Sequence, residues 1–182
     1  MMFYIVECSY SDPASEAEWN EFYSREKLPA LISVSGFTTS QRFRALTPGC
    51  PVYIAIHTVK DAQVLNSDDY RLKGGGNFSR WQNGITDWRR NLYACQVPAP
   101  AISSEEILLL SAQSLDSFNT ELGYRPVAMQ AVGLDKYPES RILYVVGREV
   151  AARFRNASGV YLYEPLTPQL QNVAEAEQQE GQ

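Results

Sequence analysis

A chain of 182 residues, 45% hydrophobic and 12% aromatic, can bury a core as one domain or as two small ones. A formal net charge of −5 argues against a general nucleic-acid or anionic-membrane surface, and no apolar run approaches bilayer length. Cys8, Cys50 and Cys95 are widely spaced with no C-x-x-C pair, which argues against a disulfide framework or a thiolate zinc site. Together with an N-terminus that lacks a basic region before its first glutamate, Glu7, this fits a reducing, cytoplasmic compartment.

Residues 3–8 are β-branched and aromatic and read as a strand. Ser11-Asp12-Pro13 signals a helix entry, and Ser15 with Glu18 fits a capping box. Trp19, Phe22, Tyr23 and Ala30 then follow helical spacing until Gly36 breaks it. Residues 37–45 and 52–59 read as strands joined by a Pro- and Gly-containing turn. A second helical segment begins at 61–65 and is interrupted by Gly74-Gly75-Gly76. It is expected to resume through Phe78, Trp81, Ile85 and Trp88, before a closing strand over 91–97.

The order is β-α-β-β-α-β, the ferredoxin-like split βαβ pattern. Pro98-Ala99-Pro100-Ala101 is a stiff break, and a smaller version of the same order follows it. Its strands are expected at 107–111, 127–134, 141–146 and 160–164, with short helical stripes at Leu115, Phe118, Leu122 and at Val150, Phe154, Ala157. The expected fold class is therefore α+β: two tandem ferredoxin-like repeats packed sheet to sheet as an α/β barrel. The boundaries are 1–97, a linker at 98–102, 103–167, and a Gln- and Glu-rich disordered tail at 168–182. Whether the barrel closes within one chain or between two is open, and a homodimer is admitted.

Trp19-Asn20-Glu21-Phe22-Tyr23, Arg25-Glu26-Lys27-Leu28-Pro29, Gly36-Phe37 and Arg42-Phe43-Arg44 occur in an order that resembles the first half of EthD-like proteins of the dimeric α/β-barrel superfamily. The resemblance covers mainly residues 2–97. It implies a cavity for a small, partly apolar organic molecule. The sequence departs from that family at Lys27, where EthD-like proteins often carry a histidine in a Glu-His-x-Pro-like turn. A lysine could replace it as a base only if burial depressed its pKa strongly, and a solvated helix-end lysine is the plainer expectation.

His57, the only histidine, lies in a strand whose alternation separates Val52, Ile54 and Ile56 from Tyr53, Ala55 and His57. The purely apolar side is expected to meet the helices, which leaves Tyr53 and His57 facing the barrel interior. There His57 would serve as acid/base and Arg42 would stabilise an anion, with Tyr53 and Tyr23 shaping a substrate pocket. The plainer readings are a partly exposed or internally hydrogen-bonded strand histidine, and an arginine in an ion pair or at a solvated strand edge. No metal-ligand spacing is present, and no cofactor is expected. Arg71-Leu72-Lys73-Gly74-Gly75-Gly76 lacks phosphate-loop spacing and reads as a flexible surface loop or a lid over the cavity. The leading expectation is a proton-transfer enzyme (isomerase, lyase or cyclase) for a small apolar or aromatic organic acid. A non-catalytic binding or accessory barrel, or one whose cavity is filled by side chains, stays open beside it.

Overall fold

The computed structural model describes residues 1–74, 78–115 and 125–174. Strand-forming residues at both ends of the chain build a single sheet. Its strands are β1 (Met2–Tyr10), β2 (Phe37–Ala45), β3 (Tyr53–Val59), β4 (Ile85–Ala94), β5 (Glu106–Ser111), β6 (Val127–Leu134), β7 (Ser140–Gly147), β8 (Val160–Pro165) and β9 (Leu170–Gln171). The order β3-β1-β4-β6-β7-β5-β8-β2 returns to its start because β2 also pairs with β3. Every pairing is antiparallel.

The result is one closed antiparallel β-barrel of eight strands, and it corrects the expectation of two ferredoxin-like repeats packed sheet to sheet. The order β2-β3-β1-β4 recurs as β6-β7-β5-β8, but the two halves meet edge to edge. β4 pairs with β6 from Asn91↔Leu134 to Ala94↔Gln130, and β2 pairs with β8 from Phe43↔Pro165 to Ala45↔Tyr163. An open sheet presents unpaired N–H and C=O groups at both edges, and joining the two halves satisfies them on both sides. Helical coverage is also sparser than expected. In the second half the described residues hold one short helix, Arg148–Ala152, and the stripe at Phe118 and Leu122 lies outside the described residues.

The expected helix through Phe78, Trp81, Ile85 and Trp88 is a second correction. Only Ser79–Gly84 forms a 3₁₀ turn, and β4 starts at Ile85. Pairing of Ile85 with Tyr10 and Thr86 with Ser9 extends β1's ladder, and that tertiary gain overrides a spacing that also fits a helix.

Both sides of β3 are buried, which inverts the face assignment made from its alternation. Ile54 and Ile56 point into the barrel with Phe3, Leu108, Leu110 and Leu143. Tyr53, Ala55 and His57 lie on the outer wall beneath the helices. The barrel interior is filled from both halves and is the more uniformly apolar environment, so the apolar face of β3 belongs there. Ala99 and Ile102 of the 98–102 segment plug the same interior. Gln41 grips Ile102 through both amide atoms, with Nε2 2.7 Å from the Ile102 carbonyl and Oε1 3.1 Å from its N–H. Beyond Pro168, β9 pairs with Thr39 and Ser40 of β2.

Three helical segments run without a break over the outer wall: α1 (Glu16–Phe22), a π-helical turn (Tyr23–Lys27) and α2 (Leu28–Ile32). Pro29 has no N–H to return to the preceding turn, and the widened turn falls immediately before it. Trp19, Tyr23 and Lys27 recur every four residues along this run, and all of them are buried. Among the described residues no helix is long and apolar enough to cross a membrane.

Candidate functional site

The layer between the outer wall of β1–β3 and the helices encloses several buried polar side chains, Arg42, His57 and Lys27 among them. Arg42 is 1% exposed. Its Nη1 donates to Ser24 Oγ at 2.9 Å and to the Asn20 carbonyl at 3.3 Å, and Nη2 donates to Asn20 Oδ1 at 2.9 Å. The guanidinium lies 4.0 Å from the Tyr23 ring centroid, with Trp19 and Tyr53 at 5.4 and 5.5 Å. Burial pulls its pKa below the ordinary arginine value. A guanidinium enclosed by aromatic faces and neutral acceptors pins α1 to the sheet. Arg42, Tyr23 and Tyr53 are thus brought together, and Tyr53 OH also donates to Glu16 while accepting from Arg44 at 2.9 Å.

His57 lies in the same layer, fully buried. Its Nδ1 is 2.6 Å from Ser40 Oγ, its ring stacks on Tyr4 at 5.5 Å, and Phe37 meets it edge-on at 5.2 Å. Burial pushes the imidazole down to about 3, and the charge of Lys27 adds to that shift. His57 is therefore neutral throughout the physiological range. The unfolded chain takes up this proton below about pH 6.5, whereas the folded protein refuses it until about pH 3. Stability should accordingly fall as pH drops from 6.5 toward 3, by up to about 1.4 kcal/mol per pH unit. Urea unfolding followed between pH 7 and 4 checks this: His57→Gln should flatten the slope by up to one proton, and an unchanged slope would assign the acid sensitivity elsewhere.

Lys27 is where the structure departs most from expectation. It is 9% exposed instead of solvated. Its Nζ donates to the Gly74 carbonyl at 2.8 Å and sits 4.5 Å from the Phe78 ring centroid. Burial lowers its ammonium to about 8. The signal that would have placed it inward is the four-residue step from Trp19 through Tyr23. Lys27 lines a depression of about 300 Å³ between the π turn and α3 (Asp68–Lys73). Phe22, Ala30 and Leu72 give this depression an apolar wall, while Glu26, Arg71 and Lys73 supply charge.

A second buried polar centre was missed by the sequence reading and lies inside the barrel. Glu7 is fully buried and accepts Nη1 and Nη2 of Arg141 at 3.0 and 2.9 Å, and Nε of Arg89 at 3.0 Å. Among the described residues no group of three or more His, Cys, Asp or Glu side chains is arranged to hold a metal ion.

Neither a protein-family model nor a curated protein matches this chain. Solved structures do. An anthrone oxidase-like protein superposes with a TM-score of 0.58 at 6% identity, over 94% of this chain and 93% of its own. A candidate monooxygenase from Lactobacillus acidophilus gives 0.56 at 8% identity over 94% and 96%. A candidate monooxygenase from Fusobacterium nucleatum gives 0.59 at 7% over 92% and 93%. The chain shares their fold over nearly its whole length. At such identity the likeness extends to the fold alone.

Proposed function

We propose that this protein is a small-molecule enzyme of proton-transfer type, acting on an apolar or aromatic organic acid seated above Lys27, in the manner of an EthD-like barrel. The observation that carries this reading is the placing of Lys27: a 9% exposed side chain at the wall of a pocket, its amine over the Phe78 ring and lowered by burial to about 8. A group whose pKa lies near the working pH exchanges protons most effectively. Lys27 occupies the position where the resembling family carries a histidine, so a lysine made weakly basic by burial serves the same purpose. Phe22 and Leu72 take the substrate's apolar body, and its anionic end meets Arg71 and Lys73 in competition with their pairing to Asp68 and Asp69. Arg42, Tyr23 and Tyr53 hold α1 and the π turn against the sheet, and His57 keeps the floor behind Lys27 uncharged. The names of the structural neighbours concern oxidation, and oxidation of a carbon acid likewise opens by removing a proton.

The test is solvent-deuterium exchange. Small aromatic acids with an acidic C–H (arylacetates, aryl-substituted 3-oxo acids) are incubated with the protein in D₂O and followed by proton NMR. Catalysed exchange that rises with pH through about 8 is the expected result. Saturable binding with exchange no faster than in buffer would reassign the protein as a non-catalytic binder.

A further inference from the structure

Three rings that can each surrender an electron lie in contact on the outer wall. Tyr10, at the end of β1, stacks on Trp19 with centroids 4.7 Å apart and planes at 14°, and Tyr53 of β3 meets Trp19 edge-on at 4.9 Å. A phenol that loses an electron becomes strongly acidic, so oxidation is easiest where a base stands ready for its proton. Tyr53 has that base, because its OH donates to Oε2 of the partly exposed Glu16. The same oxygen accepts from Arg44 Nη2 at 2.9 Å and Asn20 Nδ2 at 2.8 Å, bonds that persist on a neutral phenoxyl oxygen. Tyr10 has a longer route. Ser15 Oγ donates to Asp12 Oδ2 at 2.7 Å, so in the 2.7 Å bond between Tyr10 and Ser15 the tyrosine is the donor. Trp19 has no such route: among the described residues its buried Nε1 has no acceptor. The Arg42 guanidinium, 5.4 Å from the indole, also opposes a cationic radical there. The indole therefore passes an electron vacancy on without retaining it.

We propose that Tyr53 is a redox-active tyrosine that stores the oxidising equivalent of an oxygen-centred radical (a peroxyl or phenoxyl radical), with Tyr10 as the entry and Trp19 as the relay. The oxidant takes one electron from the half-buried Tyr10, becomes its oxyanion and is protonated by solvent. The Tyr10 proton moves to Ser15 as the Ser15 hydroxyl proton moves to Asp12. An electron then crosses from Tyr53 through Trp19 to Tyr10, which recovers its proton along the same route. The Tyr53 proton passes to Glu16, which returns one proton to solvent for the one the oxyanion took. The net change is one electron and one proton lost from Tyr53 and gained by the oxidant. Tyr53 is 2% exposed, so the radical it holds is shielded from collision with a second one. No step involves the Lys27 pocket, and the two proposals stand or fall separately.

The experiment uses the full chain and photogenerated ruthenium(III) tris-bipyridine, a one-electron oxidant too bulky to enter the protein, with transient absorption and electron paramagnetic resonance as readouts. A persistent tyrosyl radical is expected. Tyr53→Phe, which removes only the hydroxyl, should abolish the persistent signal, and Tyr10→Phe should remove most of it because Tyr53 is out of the oxidant's reach. Glu16→Gln should slow the appearance of the signal by about 10²-fold or more, the lower end of the range for losing a positioned base. A persistent signal that survives Tyr53→Phe would overturn the assignment, and one unaltered by Tyr10→Phe would overturn the relay. An unchanged rate in Glu16→Gln would overturn the coupled proton step. Should a variant fail to fold, high-field spectra of the wild type decide the matter. Their gx value should be lowered, as for a phenoxyl oxygen that accepts hydrogen bonds from Arg44 and Asn20. An unlowered gx, or short-lived radicals confined to the exposed Tyr137, would reduce the three rings to packing.

Discussion

Glu7→Gln is expected to destabilise the protein by about 3–5 kcal/mol, because it leaves a buried guanidinium without its counter-charge. β1 carries Glu7 on its inward face at 0% exposure, in register with Arg89 of β4. Arg141 of β7 reaches it across the barrel with both terminal nitrogens, a two-pronged geometry that matches guanidinium to carboxylate. Arg141 is itself only 4% exposed, so glutamine would keep the shape while abandoning a charge that water cannot reach. Burial alone would raise the Glu7 carboxyl, but Arg141 and then Arg89 outweigh it and hold the group below its ordinary value. The sign of the pH dependence follows. A carboxylate lowered by folding contributes fully above its unfolded pKa and loses that contribution as pH falls through the folded value. Urea midpoints at pH 7 should therefore separate wild type from Glu7→Gln widely, and the gap should narrow in acid. The double replacement Glu7→Leu with Arg141→Met should recover much of the loss, since it removes the deeply buried guanidinium along with its counter-charge and leaves only Arg89, whose side chain is 21% exposed, without its partner. An unchanged midpoint for Glu7→Gln would mean that water reaches Arg141 after all.

This ion pair marks the limit of what local sequence conveys. The partners lie 134 residues apart, and nothing in either neighbourhood distinguishes a barrel-spanning pair from two solvated charges. The strands were legible for a different reason. Gly36, with φ of +94°, stops the helical run, and β-branched and aromatic residues follow it, so β2 and β3 appear close to the expected positions. The second-half strands were likewise legible from short apolar runs at 107–111 and 141–146. Periodicity failed where burial was two-sided. Alternation on β3 separates its faces correctly but cannot say which face meets helices when both are enclosed, and the site residues were consequently placed inside the barrel. It also failed at Trp81 and Trp88, whose three- and four-residue steps were taken for a helix, although β1 recruits Ile85 and Thr86 into its ladder. The edge-to-edge closure depends on the β4–β6 and β2–β8 ladders, and long-range pairing of that kind is not written in any single window.

Lys27→Met should lower the proposed proton-transfer activity by roughly 10²–10⁴, the usual range for losing a general acid or base. The same substitution should leave the fold intact and raise its stability, which separates a functional lysine from a structural one. The stability argument comes from linkage. Folding lowers the Lys27 ammonium from 10.5 to about 8, so the folded state binds this proton less tightly than the unfolded state does. Below pH 8 the group is charged in both states and works against folding. As pH rises from about 8 to 10.5 the folded protein releases the proton first, and the penalty fades. Methionine keeps the length and packing of the stem, surrenders one hydrogen bond to Gly74 and removes the buried charge altogether. The net gain near pH 7 should be on the order of 1–3 kcal/mol, and it should vanish near pH 10. Phe22→Leu is the companion measurement, because it trims the pocket wall without touching the amine. It should weaken substrate binding more than it slows the chemical step. If Lys27→Met instead unfolds the protein, the polar contacts of its amine, the bond to Gly74 among them, are needed for folding and Lys27 is structural. If it folds, gains stability and retains full exchange activity, the proton acceptor lies elsewhere in the pocket, with Glu26 the next carboxylate in line.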